Sequence, residues 1–245
     1  MEFPLWEAEY CRILKELSLT RESDEKAAKF LASLLKNRGW RVERLQELLK
    51  GRDVVVVGGG PGPSPFPLPE GDWTVIAADG ATSTCLSSGM VPALITTDLD
   101  GYMPDEISAN EKGSFVLIHA HGDNMDALKK WVPKFRGEVG GSVAASPRPG
   151  LINYGGFTDG DRAVCLAEEC HAKRVLLARF DFHHVTEKDG ERKLQKLRVA
   201  ERVIDQISRR GVLPVFMLTA SGIEEWPRTK EYTTRDPGPR SRTTG

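Results

Sequence analysis

The chain is short of amides, paired cysteines, long apolar runs and net charge, and each shortage excludes something. Three Gln and four Asn occur in 245 residues. Amides are thermolabile, so their scarcity suits a heat-tolerant protein. The four cysteines, Cys11, Cys85, Cys165 and Cys170, form no Cys-x-x-Cys pair, and a zinc site joining one of them to His119 and His121 lacks a second ligand cluster at the needed spacing. No apolar run approaches the roughly 20 residues that span a bilayer. The opening MEFPLWEAEYC carries acids where a signal peptide needs positive charge. That points to a cytoplasmic chain, in which disulfides are not expected. A formal net charge of -1 gives no electrostatic ground for nucleic-acid or membrane partners. What is present, 40% hydrophobic and 28% charged residues, is the composition of a folded domain, and the length fits one large α/β domain or two small ones.

Residues 5 to 50 read as helical. In SDEKAAKFLASLLKNRG, Ser23 is the expected cap, acids fill the first turn and Gly39 is the expected stop; VERLQELLKG follows. Beyond residue 50 the pattern changes to short, β-branched runs: DVVVVGGG, WTVIAADG, PALITTDLDG, SFVLIHAHGD, RVLLARFDF and VLPVFMLTASG, with GSVAAS and GLINYGG as shorter candidates. Continuous apolarity suits strands covered on both faces. Helical patterns alternate with them: ATSTCLSSG, NMDALKKWVPKF, DGDRAVCLAEECHA and ERKLQKLRVAERVIDQISRRG. The expectation is an α/β fold, a doubly wound, mostly parallel, Rossmann-like sheet with N-terminal helices. Residues 1–50 are expected as the helical segment, 51–225 as the α/β domain and 226–245 as a disordered tail rich in Pro, Gly and Arg. PGPSPFPLPEG, residues 61–71, reads as a surface loop.

In an open parallel sheet, ligands bind beyond the carboxyl ends of the strands. Gly58, Gly59, Gly60 and Gly62 follow the first strand, Asp79 the second, Asp98 and Asp100 the third, and His119, His121 and Asp123 the fourth. Asp159 and Asp161 follow LINYGGF, and Asp181 follows RVLLARF. One Asp after a strand is ordinarily a turn former or a cap. A ring of them repels itself unless a divalent cation and a phosphate chain resolve the charge, and Mg²⁺ takes a few carboxylates plus water and phosphate oxygens. GGGPG, with Gly59 and Gly60, can cradle phosphate through backbone N–H groups, but it has neither the P-loop lysine nor a full Gly-x-Gly-x-x-Gly; a flexible strand exit is the plain alternative. In GGFTDGDRA, Gly155 and Gly156 permit close backbone approach to a ligand. Thr158 or Asp159 caps a helix starting near Gly160, and its free N–H groups offer an anion or ribose site beside Asp161 and Arg162. An ordinary capped helix is the alternative there. His119 and His121 are read as alternating along a strand that persists, which would put them on opposite faces and not on one metal. Lys193 and Lys196 sit near a helix start, where the dipole does not favour cations; a phosphate near Lys193 would account for its place.

Taken together, ADGA, TDLDG, HAHGDN and GGFTDGDRA, in that order across residues 77–163, resemble the archaeal-type hydroxymethyl-dihydropterin pyrophosphokinases, which belong to a wider group that includes the catalytic domain of thiamine pyrophosphokinase. The likeness extends more loosely from about residue 40 to 222. The resemblance implies a Mg²⁺-dependent enzyme that transfers the terminal diphosphate of ATP to the hydroxymethyl group of a reduced pterin and releases AMP, in the biosynthesis of tetrahydromethanopterin- or folate-type cofactors. The matching acids Asp79, Asp98, Asp100 and Asp123 are then catalytic, with Asp98, Asp100 and Asp123 as metal ligands. Gly156, Asp159, Asp161 and Arg162 match a nucleotide-contacting turn. Asn124, Asn153, Tyr154, Phe157 and Phe182 are at hand for a flat pterin. The N-terminal helices either pack on the sheet edge or mediate a homodimer.

Three other readings stay open on sequence. Thiamine pyrophosphokinases add a β-rich C-terminal domain, where this chain has a short tail. A glycosyltransferase would use Asp98-Leu99-Asp100 as its Asp-x-Asp metal motif, but has no need of HGDN or GGFTDGDRA. A nucleotide-sensing module without catalysis is the third.

Overall fold

The computed structural model describes residues 3–62, 66–185 and 190–226. The tail from 227 onward and part of the Pro-rich loop lie outside the described residues. Trp226, which the sequence assigns to the tail, is packed: it is buried, its indole donates to Asp205 Oδ1 at 2.5 Å, and its ring meets Phe182 edge-on.

Three helices precede the sheet: α1 (Phe3–Glu16), α2 (Arg21–Leu35) and α3 (Glu43–Leu49). Helix α2 begins two residues before Ser23, with Thr20 as the extended N-cap residue. Ser23 is therefore not the cap; its hydroxyl donates back to the Thr20 carbonyl at 2.8 Å. The helix also stops short of Gly39, which takes its left-handed φ of +64° in the following turn.

Eight strands follow: β1 (Asp53–Val57), β2 (Trp73–Ala78), β3 (Leu94–Thr97), β4 (Phe115–Ala120), β5 (Val139–Val143), β6 (Arg174–Ala178), β7 (Val215–Thr219) and β8 (Gly222–Glu225). Five helices connect them: α4 (Ala81–Ser87), α5 (Met103–Glu111), α6 (Met125–Trp131), α7 (Asp159–Glu169) and α8 (Gly190–Arg210). The sheet order is β5-β4-β3-β2-β1-β6-β7-β8, parallel throughout except for β8. This is the doubly wound α/β fold. Alternation along β1 shows why its run is apolar without a break: Val54 and Val56 enter the core under α1, α3, α7 and α8, while Val55 and Val57 enter the core under α2, α4, α5 and α6. Each buried valine contributes roughly 1.5–3 kcal/mol of apolar transfer. GLINYGG forms no strand; it makes only two isolated bridges, Ser142 to Ile152 and Arg148 to Leu151, because Asn153 spends its amide on the Ala144 and Ala145 carbonyls and turns the chain.

The N-terminal helices pack round the β5 side of the sheet. Trp6, Tyr10 and Ile13 of α1 enter one core, with the Trp6 indole donating to the Ala144 carbonyl at 2.8 Å. Ala27, Ala28, Leu31 and Leu35 of α2 enter the other. Arg202 of α8 holds α1 through Glu9 and Glu16 at 2.7 and 2.8 Å. The chain lays down β1 to β5 in one direction and β6 to β8 in the other, so the topological switch point lies between β1 and β6, where such sheets open a crevice for ligands. To reach β6 from β5, α7 crosses the sheet against β1, β2 and β3. Its N-terminus is thereby delivered to the carboxyl ends of the central strands.

Candidate active site

Three acids converge there. Carboxylate oxygens of Asp79, after β2, Asp98, after β3, and Asp159, the first residue of α7, lie within 4.8 Å of one another. Neighbouring threonines set them. Thr96 and Thr97 end β3 and are fully buried. They point to opposite faces, as strand alternation requires. The Thr96 hydroxyl donates to the Asp159 carbonyl at 2.9 Å; the Thr97 hydroxyl donates to Asp79 Oδ1 at 2.8 Å. Asp79 has a left-handed φ of +47° and Leu99 one of +71°, conformations uncommon for residues with a side chain. Leu99 is buried, and its N–H donates to the Thr97 hydroxyl at 2.8 Å. The chain thus turns between Asp98 and Asp100 around an inward leucine.

The electrostatics are those of crowded acids. Burial, then the charges of Asp98 and Asp79, push Asp159 well above the ordinary carboxylate range. Asp100 is exposed at the rim, but partial covering of its carboxyl, then the charges of Asp98 and Asp79, push it up to about 7. Burial also raises Asp98, but His121, with Nε2 at 3.3 Å from Oδ2, outweighs it and holds that carboxyl below its usual value. Asp98 Oδ1 and Asp159 Oδ1 are buried without a hydrogen-bond partner. Such orphaned carboxylate oxygens are costly, and a divalent cation among oxygen donors would remove that cost. Behind them, the buried Arg162 guanidinium donates to the Gly156 and Phe157 carbonyls at 2.9 and 3.1 Å and supplies positive charge under Asp98 and Asp159.

The residues singled out in the sequence divide by position. Asp79, Asp98 and Asp159 are together, with Asp100 exposed at the rim. Asp123 is exposed and outside the trio; its backbone N–H donates to His121 Nδ1 at 3.3 Å. Asp161 is fully buried and accepts from the Phe157 and Thr158 N–H groups, both at 2.7 Å, and from the Thr158 hydroxyl at 2.5 Å. It closes a capping box with Thr158 as N-cap. Gly156, at φ +91°, has its Cα pressed against the Arg162 backbone, where a Cβ would collide. Its close approach is thus to α7. Gly59, Gly60 and Thr158 line a cavity of about 600 Å³ at the switch point, with Arg179, His184 and Lys193 on its walls. Two of the glycine N–H groups are already used: Gly58 donates to the Ala178 carbonyl and Gly60 to the Arg179 carbonyl.

The histidines correct the alternation argument. Residues two apart in a strand share a face, not opposite ones; His121, one residue past the end of β4 at Ala120, keeps the side of His119, and the two rings stack with centroids 6.2 Å apart. Among the groups considered for a flat ligand, Asn124 donates to the Asp98 and His119 carbonyls and Phe182 is core. Phe157 alone of the five borders a cleft beside the trio. Glu106 of α5 was missed by sequence reasoning. It is fully buried, 3.2 Å from the Thr97 hydroxyl, and burial and then Asp79 push it to about 9. The adjacent polar Thr96-Thr97 pair at the end of an apolar strand was the available signal for the site's inner support.

Fold and site define a doubly wound α/β enzyme with an acidic trio at the carboxyl edge of its sheet. Residues 28–187 match the family described as 6-hydroxymethylpterin diphosphokinase MptE-like, and the chain belongs to it. It is 38% identical over 229 residues to a protein of Methanothermobacter thermautotrophicus named 6-hydroxymethyl-7,8-dihydropterin pyrophosphokinase, covering 86% of this chain and 97% of that one. A Pyrococcus furiosus protein of the same name is 37% identical over 226 residues, 86% of this chain and 96% of its own. A Bacillus subtilis thiamine pyrophosphokinase of known structure superposes with a TM-score of 0.40 and 14% identity, over 68% of this chain and 60% of that one.

Proposed function

We propose that the protein transfers diphosphate from ATP to the hydroxymethyl group of a reduced pterin and releases AMP, as a step in pterin-cofactor biosynthesis. The observation that carries the reading is the trio of partly buried acids, two of whose oxygens are buried and orphaned, in a chain of this family. Asp79, Asp98 and Asp159 would hold Mg²⁺, with Asp100 at the rim. When bound, Mg²⁺ neutralises phosphate charge and fixes phosphate oxygens. The switch-point cavity suits the nucleotide: its volume of about 600 Å³ lies within the roughly 300–1,000 Å³ usual for small-molecule sites, and Lys193 and Arg179 bring positive charge to a phosphate chain. The acceptor oxygen bonds to the β-phosphorus as the bond from that phosphorus to the α–β bridging oxygen breaks; AMP leaves, and the hydroxyl proton passes to solvent or a carboxylate. Positioning by the rigid strand ends does most of this work. The test is AMP release with 6-hydroxymethyl-7,8-dihydropterin, thiamine or no acceptor. Release that depends on the pterin supports the reading; release with thiamine alone, or none with the pterin, overturns it.

A further inference from the structure

A second, smaller cleft, of about 70 Å³, meets the trio. It shares Asp98 and Asp159 with the acids but no residue with the nucleotide cavity. The partition between the two is visible in the register. Phe157 and Asp159 face the narrow cleft while Thr158 and Gly160 face the wide one; on α8, Arg192 and Lys196 face the first while Lys193 and Leu197 face the second. The start of α7 and the first turns of α8 therefore stand as a wall between two compartments that meet at the acids.

The far wall comes from the N-terminal helices. Asp24, nearly buried, accepts from the Tyr10 hydroxyl at 2.6 Å and from the Gly122 N–H at 2.8 Å. Gly122 passes so close to Ser23 that a Cβ would collide with its hydroxyl. The loop after β4, which carries His121, is thus clamped to α2. Tyr10, Ser23, Asp24, Arg192 and Lys196 all fall outside residues 28–187, the span that matches the family. The family-matched core supplies the acids; the flanking segments supply this pocket's other side.

We infer that the narrow cleft is the acceptor subsite and that the N-terminal helices confer its specificity. The inference rests on the diphosphotransferase reading. The ligand it suits is a small flat heterocycle with N–H donors on one edge: His121 and Phe157 offer ring faces, Asp24 offers a carboxylate to the donor edge and is set there by the hydroxyl of Tyr10, whose ring is stacked on Trp6 and covered by Arg21, and Asp98 and Asp159 border the place where the reacting hydroxyl meets phosphate. Arg192 and Lys196, exposed and long, form the side that yields to an entering ring.

The experiment uses the full chain and two unreactive probes. One is 6-methylpterin, which keeps the ring and lacks the hydroxyl, followed by its own fluorescence. The other is the ATP analogue with a methylene between the α- and β-phosphorus, with Mg²⁺. Asp24→Asn should weaken pterin binding by about tenfold or more, the scale of a lost hydrogen bond to a charged group, and leave the nucleotide analogue within about twofold. Tyr10→Phe, which keeps the ring and spares the fold should Asp24→Asn unfold, should raise the acceptor KM with kcat and the ATP KM held. Unchanged pterin affinity in both variants, or an equal loss of nucleotide, overturns the subsite. If the wild type instead turns over thiamine, the pterin reading falls; a selective rise in the thiamine KM in both variants would still support the cleft as acceptor subsite.

Discussion

Gly101 lies directly against Asp79: a Cβ on Gly101 would sit 2.6 Å from Asp79 Oδ2, and the Gly101 N–H donates to Asp79 Oδ1 at 3.2 Å. The loop after β3 and the end of β2 are thereby locked at one carboxylate. This explains the whole of Thr97-Asp98-Leu99-Asp100-Gly101. The threonine and the glycine grip Asp79, the leucine anchors the turn, Asp98 is aimed at the trio and Asp100 is left at the exposed rim.

Gly101→Ala should therefore act as an active-site mutation without altering any acid. The methyl group displaces Asp79, and turnover should fall by about a hundredfold, the scale of losing one electrostatic contact to the transferring group. Stability should fall by only about 1–3 kcal/mol, as for local overpacking. Near-normal turnover with a normal melting curve would show that the Asp79 position is not critical.

Asp159→Asn and Asp123→Asn separate the proposed ligand set from the one suggested by sequence. Asp159→Asn should move the Mg²⁺ midpoint for turnover upward by about tenfold or more, since a charged oxygen ligand is lost. Asp123→Asn should leave that midpoint within about twofold. A shift confined to Asp123→Asn would restore Asp123 as a ligand in place of Asp159.

Glu106 predicts a pH dependence of stability. Its folded-state value of about 9 stands above the 4.5 of an ordinary glutamate, so the folded protein binds this proton more tightly than the unfolded chain. The stabilisation is fully present below about 4.5 and is lost as pH rises toward 9. Asp100, raised from 3.8 to about 7, has the same sign in the lower part of that window. Metal-free protein should lose Tm between about pH 5 and 9, and Glu106→Gln should flatten the curve, gaining roughly 2–4 °C for each kcal/mol recovered at the alkaline end. Parallel curves for the two proteins would remove Glu106 as a buried neutral acid.

Much of this was legible in the sequence because strand and helix periods differ so sharply. Val54 to Val57 could only be a strand covered on both faces, and acids after successive parallel strands had to share an edge. The parts that were not legible depend on three-dimensional crossings. The path of α7 over β3, β2 and β1 brings Asp159, rather than Asp123, beside Asp98, and spacing along the chain carries no record of that path. His119 and His121 are the reverse case: two residues apart, they share a face by the strand period itself, so their stacking could have been read from the spacing. Glu106 sits on a short helix whose weak periodicity, MPDEISANE, gave no signal. The folding of α1 and α2 around the β5 side, which brings Tyr10 and Asp24 to the cleft, required knowing which strand was at the edge.

The most direct test is the identity of the products. Incubating the protein with ATP, Mg²⁺ and 6-hydroxymethyl-7,8-dihydropterin and following the phosphorus resonances should yield AMP and a pterin diphosphate in equal amounts, with neither formed after chelation nor by Asp98→Asn. ADP with free phosphate, or AMP and pterin diphosphate formed undiminished in the presence of chelator, would contradict the account.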